Sequence, residues 1–151
     1  MSDLDRISLE IVTPDKEVFK GMVERFNIPA VAGKTGILYN HAPLLTALQP
    51  GVVEYYQDGE LGRIAVSNGF MELKNNQAEI LVSAGEVSDE IDVQRALASL
   101  ERAKRRLEEK AEGLDVDRAH ASMMRALARL TATQYYPDHG LSADKGGKEK
   151  K

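Results

Sequence analysis

The chain has 151 residues, 42% of them apolar and 29% charged, with a formal net charge of −4 and no cysteine. That length suits one ordinary domain, or a small domain with an appendage, and the apolar share is enough for a core. A net acidic chain is not drawn globally to nucleic acid, a disulfide framework and thiolate chemistry are excluded, and no apolar run approaches the roughly 20 residues of a membrane-spanning helix.

The opening Met1-Ser2-Asp3-Leu4-Asp5 is acidic where a secretory leader would be basic, so the expected location is intracellular. From there the period is 2. Ile7, Leu9 and Ile11 alternate with polar residues and stop at Thr13-Pro14-Asp15. Met22, Phe26 and Ile28 share one parity before Pro29. Gly51-Val52-Val53-Glu54-Tyr55-Tyr56 runs into Asp58-Gly59, a strong hairpin signal. Arg63 to Val66, the turn pair Asn68-Gly69, Phe70 to Leu73, the turn Asn75-Asn76 and Ala78 to Val82 follow. Short strands with turn signals at this spacing predict an all-β sandwich or flattened barrel over residues 1–87.

Between Ser83 and Ile91 the period changes from 2 to 3.6, which places a domain boundary there. Residues 88–133 read as two similar helices. Ile91-Asp92-Val93-Gln94-Arg95-Ala96 recurs 23 positions later as Leu114-Asp115-Val116-Asp117-Arg118-Ala119, and the match continues to Arg129-Leu130. Each copy opens on an aspartate placed to cap a helix, and a break near Gly113 folds the two into an antiparallel hairpin. At roughly 100° per residue, Arg95, Arg102 and Arg106 form one stripe, and Arg118, Arg125 and Arg129 form its counterpart. Beside them run the narrow apolar stripes Ala96, Leu100, Ala103, Leu107 and Ala119, Met123, Ala126, Leu130. Such an alanine-rich seam buries little area, at roughly 25 cal/mol per Å2, so the hairpin is a candidate for opening. From Arg118 to Pro137 there are three arginines and no acid, so those guanidinium groups lack partners on their own helix. A polyanion such as a nucleotide triphosphate would bridge them, because the arginine fork pairs with phosphate oxygens. A plain amphipathic hairpin with a solvated face is the alternative from periodicity alone. Residues 134–151 lose periodicity and read as a disordered tail.

Other candidate chemistry is weak. Gly33-Lys34-Thr35 resembles the end of a phosphate-binding loop, but position 28 is Ile where that motif needs glycine, and Gly36 and Pro43 argue against a following helix. His41, His120 and His139 have no metal-ligand spacing, and no nucleophile-elbow pattern is present. His41 is expected to shape a contact surface in a loop, and the chain is not expected to be an enzyme. A free-standing β-sandwich hydrolase or sugar-binding module lacks a clustered polar site.

Val12-Thr13-Pro14, the stretch Gly33-x-x-Gly36-Ile37-Leu38-x-Asn40-His41-Ala42-Pro43-Leu44-Leu45, Gln49-Pro50-Gly51, Ser67-Asn68-Gly69-Phe70-Met71-Glu72 and Ile91-Asp92-x-x-Arg95-Ala96 together resemble the epsilon subunit of the bacterial F-type ATP synthase, in order from about residue 5 to 133. The resemblance implies a ten-stranded N-terminal β-sandwich followed by the two-helix hairpin. It implies a non-catalytic subunit of the central rotor stalk that binds the gamma subunit and the c-ring, peripheral to the cytoplasmic face of the membrane. There it would help couple proton flow to ATP synthesis. It also implies a hairpin that extends to meet an acidic segment of the beta subunit and restrains ATP hydrolysis. Residues Asn40, His41, Ala42, Pro43 and Leu44 match the family's partner-contact loop. In members that bind ATP to the folded hairpin, the matching positions are Glu86, Ile91, Asp92, Arg95, Ala96, Arg102, Arg125 and Arg129. A small nucleotide sensor, whose main output is ATP-dependent closure of the hairpin, is the alternative. The family's loop carries a glutamate and a proline where this chain has Lys34 and Tyr39, which puts in doubt any contact made through that glutamate.

Overall fold

A computed structural model describes residues 5–109, 113, 115–136 and 141–142. Ten strands come first: β1 (Ile7–Val12), β2 (Glu17–Val23), β3 (Arg25–Ala30), β4 (Gly33–Leu38), β5 (Leu44–Leu48), β6 (Gly51–Gln57), β7 (Glu60–Val66), β8 (Gly69–Lys74), β9 (Gln77–Val82) and β10 (Gly85–Val87). A single 3-10 turn (Ser88–Glu90) leads to α1 (Val93–Glu109) and α2 (Val116–Ala132), and a short ladder pairs β11 (Tyr135–Tyr136) with β12 (Leu141–Ser142). The rest of the expected tail lies outside the described residues.

The ten strands form one sheet in the order β10-β7-β6-β3-β5-β8-β9-β1-β2, with β4 on β3. All pairings are antiparallel except β1 with β9. The last strand, β2, also touches β6 and β10, and Gln57 Nε2 donates to the Met22 carbonyl at 3.1 Å, so the sheet closes into a flattened barrel. Alternation puts Ile7, Leu9, Ile11, Phe26, Ile28, Ile37, Val53, Ile64, Met71 and Ile80 inside with 1% exposure or less.

Two hairpin turns form as their sequences predict. Asp58-Gly59 (φ 53° and 82°) joins β6 to β7, and Asn75-Asn76 (φ 52° and 58°) joins β8 to β9. Positive φ at both central positions is what matches a two-residue turn to strand twist. Two segments depart from the simplest local reading. Asn68-Gly69 joins no hairpin, because β7 pairs with β6 and β10 while β8 pairs with β5 and β9. Gly69 is there for close approach: a Cβ on it would stand 2.0 Å from the Leu81 carbonyl oxygen. Met22 faces solvent, because the chain leaves β2 at Val23 and enters β3 at Arg25, which reverses the inward parity before Phe26.

The helices form the predicted antiparallel pair, turned near Gly113 at φ 80°. Asp92 Oδ1 accepts from Arg95 N at 3.1 Å, and Asp115 Oδ1 accepts from Arg118 N at 3.0 Å, so both aspartates cap as expected. Ala96, Leu100, Ala126 and Leu130 make the buried seam. Only α2 packs broadly on the barrel, against β6 and β7. Sequence divergence between the repeats accounts for this. Where α1 has Glu101, Lys104, Arg105 and Glu109, α2 has Met124, Leu127, Ala128 and Ala132. The second helix therefore carries a second apolar face, and Ala132 packs with Ala65 and Ile91. That contact buries Ala65 on what would otherwise be the solvent side of β7.

Candidate functional site: the hairpin junction and the loop face

Two regions hold the candidate residues. The first lies where β10, α1 and α2 meet. Glu86, projecting from β10, reaches α2: its Oε1 lies 2.7 Å from Arg129 Nε. The Nε atom is buried and makes no hydrogen bond of ordinary geometry, so this contact is an ion pair rather than an aligned N–H···O bond. Arg125 stands one turn earlier on α2, and its Nη2 donates to Ser122 Oγ at 3.0 Å. Arg102 repeats this on α1, donating from Nη2 to Ser99 Oγ at 3.1 Å. The 23-residue repeat thus extends to side-chain bonding.

Glu86, Arg125 and Arg129 line one small cavity of about 50 Å3, walled by Ala65, Val66 and Gly85. The remaining expected positions lie elsewhere around the junction. Ile91 packs on Ala65 and Ala132, Ala96 is fully buried in the seam, and Asp92 caps α1. Arg95 and Arg102 are exposed and line no part of this cavity. Two guanidinium groups against one carboxylate leave the cavity electropositive, which suits an anion.

A charge cluster on the barrel faces α2, lining one cleft with Met124, Leu127 and Ala128. Lys34 Nζ and Arg63 Nε meet Glu54 from two sides, at 3.0 Å and 3.3 Å. Burial alone would raise the Glu54 carboxyl, but the hydrogen bond and charge of Lys34, then of Arg63, outweigh it and hold the group below its ordinary value. With the Gln134 amide turned so that its oxygen faces Arg63, the guanidinium donates to it, Nη2 at 2.9 Å, just past the end of α2. Lys34 therefore sits on a strand with an acid of its own chain, where a phosphate-binding loop would place it at a helix start.

The other region is the β4–β5 loop. Asn40, at φ 65°, Ala42 and Pro43 are exposed, while His41 is half-buried with Nδ1 2.7 Å from the Ala42 carbonyl. Leu44 is half-buried against the core. The large exposed apolar groups are the flanking Leu38, Tyr39 and Leu45, the last 70% exposed. Beyond Leu45, the register sets Ala47, Phe70, Leu81 and Val12 in one outward row across β5, β8, β9 and β1. Phe70 is 59% exposed and Leu81 50%. Sequence reading missed this face. The signal was present in Ile80-Leu81-Val82 and Phe70-Met71, where apolar residues occupy both parities. Among the described residues no group of three or more His, Cys, Asp or Glu could hold a metal ion, and no helix is long and apolar enough to cross a membrane.

Comparison with known proteins matches residues 6–88 to the β-sandwich domain of the ATP synthase delta/epsilon chain, and residues 89–134 to its long α-helix domain. The ATP synthase epsilon chain of Pelotomaculum thermopropionicum is 49% identical over 124 residues, covering 82% of this chain and 92% of that protein. The epsilon chain of Carboxydothermus hydrogenoformans is 46% identical over 103 residues, covering 68% and 77%. A chain from the Euglena gracilis mitochondrial ATP synthase has the same fold, with a TM-score of 0.74 at 21% identity over 85% of this chain and 81% of its own length.

Proposed function

The chain belongs to the epsilon chain family of ATP synthases, a non-catalytic subunit, and from that premise we propose that it is an ATP-gated brake in the rotor of an F-type enzyme. The observation that carries this reading is the electropositive cavity between β10 and α2, lined by Glu86, Arg125 and Arg129. With the hairpin folded on the barrel, ATP joins the two elements. Its phosphates take Arg125 and Arg129, and the nucleoside runs toward Ile91, Asp92, Arg95 and Ala96 at the start of α1. Arg102 approaches the phosphates from the facing helix. The cavity of about 50 Å3 is far smaller than a nucleotide, so the ligand sits across its mouth and competes with the Glu86–Arg129 pair. Each charge-assisted bond contributes on the order of 1.5–3 kcal/mol, enough to bias a weak seam. Released, the hairpin extends and its arginine stripes meet the acidic segment of the beta subunit, restraining ATP hydrolysis.

The barrel carries the mechanical role. Residues 1–87 form the rotor-binding domain and residues 88–133 the regulatory one. The loop at Asn40, His41, Ala42, Pro43 and Leu44 meets the c-ring, and the outward row of Phe70 and Leu81 continues that contact onto the gamma subunit. This face lies on β5, β8, β9 and β1, whereas the helices cover β6 and β7, so the hairpin can move without releasing the rotor. The chain thereby helps couple proton translocation to ATP synthesis, peripheral to the cytoplasmic face of the membrane.

Calorimetric titration of ATP into the full chain tests the gate. Binding to the parent that is lost in Arg125→Ala and weakened in Asp92→Asn is the expected result. The same affinity in Arg125→Ala would strike the nucleotide site and leave the arginines to protein contacts.

A further inference from the structure

The contact loop is fastened by a residue far away in sequence. Asn40 and Asn76 bond reciprocally: the Asn40 backbone N–H donates to Asn76 Oδ1 at 2.7 Å, and Asn76 Nδ2 donates to Asn40 Oδ1 at 3.1 Å. Both residues have positive φ, 65° and 58°, which asparagine tolerates better than most side chains. The Asn76 carbonyl in turn accepts from Ser8 N at 2.9 Å, anchoring the β8–β9 turn to β1. Between its ends on β4 and β5, the loop is therefore tied across to the β8–β9 turn. Its next internal bond, His41 N to the Leu38 carbonyl at 3.0 Å, closes the turn that sets Leu38 and Tyr39 outward.

We propose that Asn76 is a positioning residue for the partner-contact loop, holding residues 38–45 in their docked shape before the c-ring arrives. This rests on the reading of that loop as the c-ring contact. A loop ordered in advance loses less conformational freedom on binding, so the clasp raises affinity without touching the partner. It also explains why both turns carry asparagine. The side chain must reach about one residue length and supply a donor and an acceptor together, while its backbone takes positive φ. Glycine meets only the last of these needs.

Two variants separate the roles. Asn76→Gly keeps the turn and removes both side-chain bonds; Asn76→Asp keeps the acceptor for Asn40 N–H and removes the donor. Hydrogen exchange of the full chain reads the loop directly. The Asn40 amide in Asn76→Gly exchanges on the order of tenfold faster or more, less so in Asn76→Asp, while the Ser8 amide is unchanged. Unchanged Asn40 exchange in Asn76→Gly overturns the clasp. Rebinding to ATP synthase membranes stripped of this chain then reads the consequence, with Leu45→Glu as the control on the loop itself. Asn76→Gly rebinds about tenfold more weakly if the clasp orders the docking surface. Weakening by Leu45→Glu but not by Asn76→Gly overturns the positioning role alone. No weakening by either removes the docking role of the loop and the proposal with it.

Discussion

Leu130→Ala is the substitution that most directly weighs the hairpin. The seam has four fully buried side chains, Ala96, Leu100, Ala126 and Leu130, with Val93, Leu97, Met123 and Leu127 partly buried around them. The two leucines contribute about 1.5–3 kcal/mol each, and the alanines little beyond close backbone approach. Truncating a fully buried leucine typically costs about 2–5 kcal/mol, transfer and cavity together. The loss is therefore a large fraction of everything the seam supplies, whereas the barrel core has many fully buried large side chains that the change does not touch. The expected result is selective. Backbone amides of residues 93–109 lose most of their exchange protection, and part of the 222 nm helical signal melts early. Amides of β1, β8 and β9 stay protected. A parallel Val53→Ala variant, cut in the barrel core, should instead lower the main transition. If Leu130→Ala shifts one cooperative transition with helix and barrel lost together, the hairpin is not a separately opening unit and the weak-seam reasoning is refuted.

Removing residues from 88 onward should release ATP hydrolysis by the assembled enzyme while the barrel still assembles; unchanged hydrolysis would sink the brake. Gly69→Ala should destabilise the barrel by about 1–3 kcal/mol or more, because the new methyl must displace the Leu81 carbonyl and the Val82 Cα at 2.8 Å, and urea unfolding measures this. A variant as stable as the parent would mean that β8 and β9 separate freely there. The Glu54 carboxyl is held below its ordinary value, so below pH 4.5 the unfolded chain takes up this proton before the folded one does. The stability from its ion pairs is fully present above that pH and is lost as pH falls through the depressed value. Glu54→Gln should flatten that part of the stability profile, measured by urea midpoints from pH 3 to pH 6, and an identical slope in parent and variant would contradict it.

Local geometry made much of this chain legible. A cap is read by a residue three positions on, so Asp92 and Asp115 declare both helix starts, and the 23-residue repeat carries even the Arg102–Ser99 and Arg125–Ser122 bonds. Asp58-Gly59 and Asn75-Asn76 declare their turns because few other pairs take positive φ twice. The same logic does not reveal that Gly69 serves close packing, since a glycine chosen for close packing looks identical in sequence to one chosen for a turn. Only the fold decided which helix lies against the barrel, although the exchange of Arg105 and Glu109 for Ala128 and Ala132 records the answer once it is known. Only the fold brought Glu86 to Arg129, Lys34 to Glu54 and Asn40 to Asn76. A sequence specifies what a residue does to its neighbours within a turn. Which distant side chain completes a charge or a hydrogen bond depends on how the whole sheet closes.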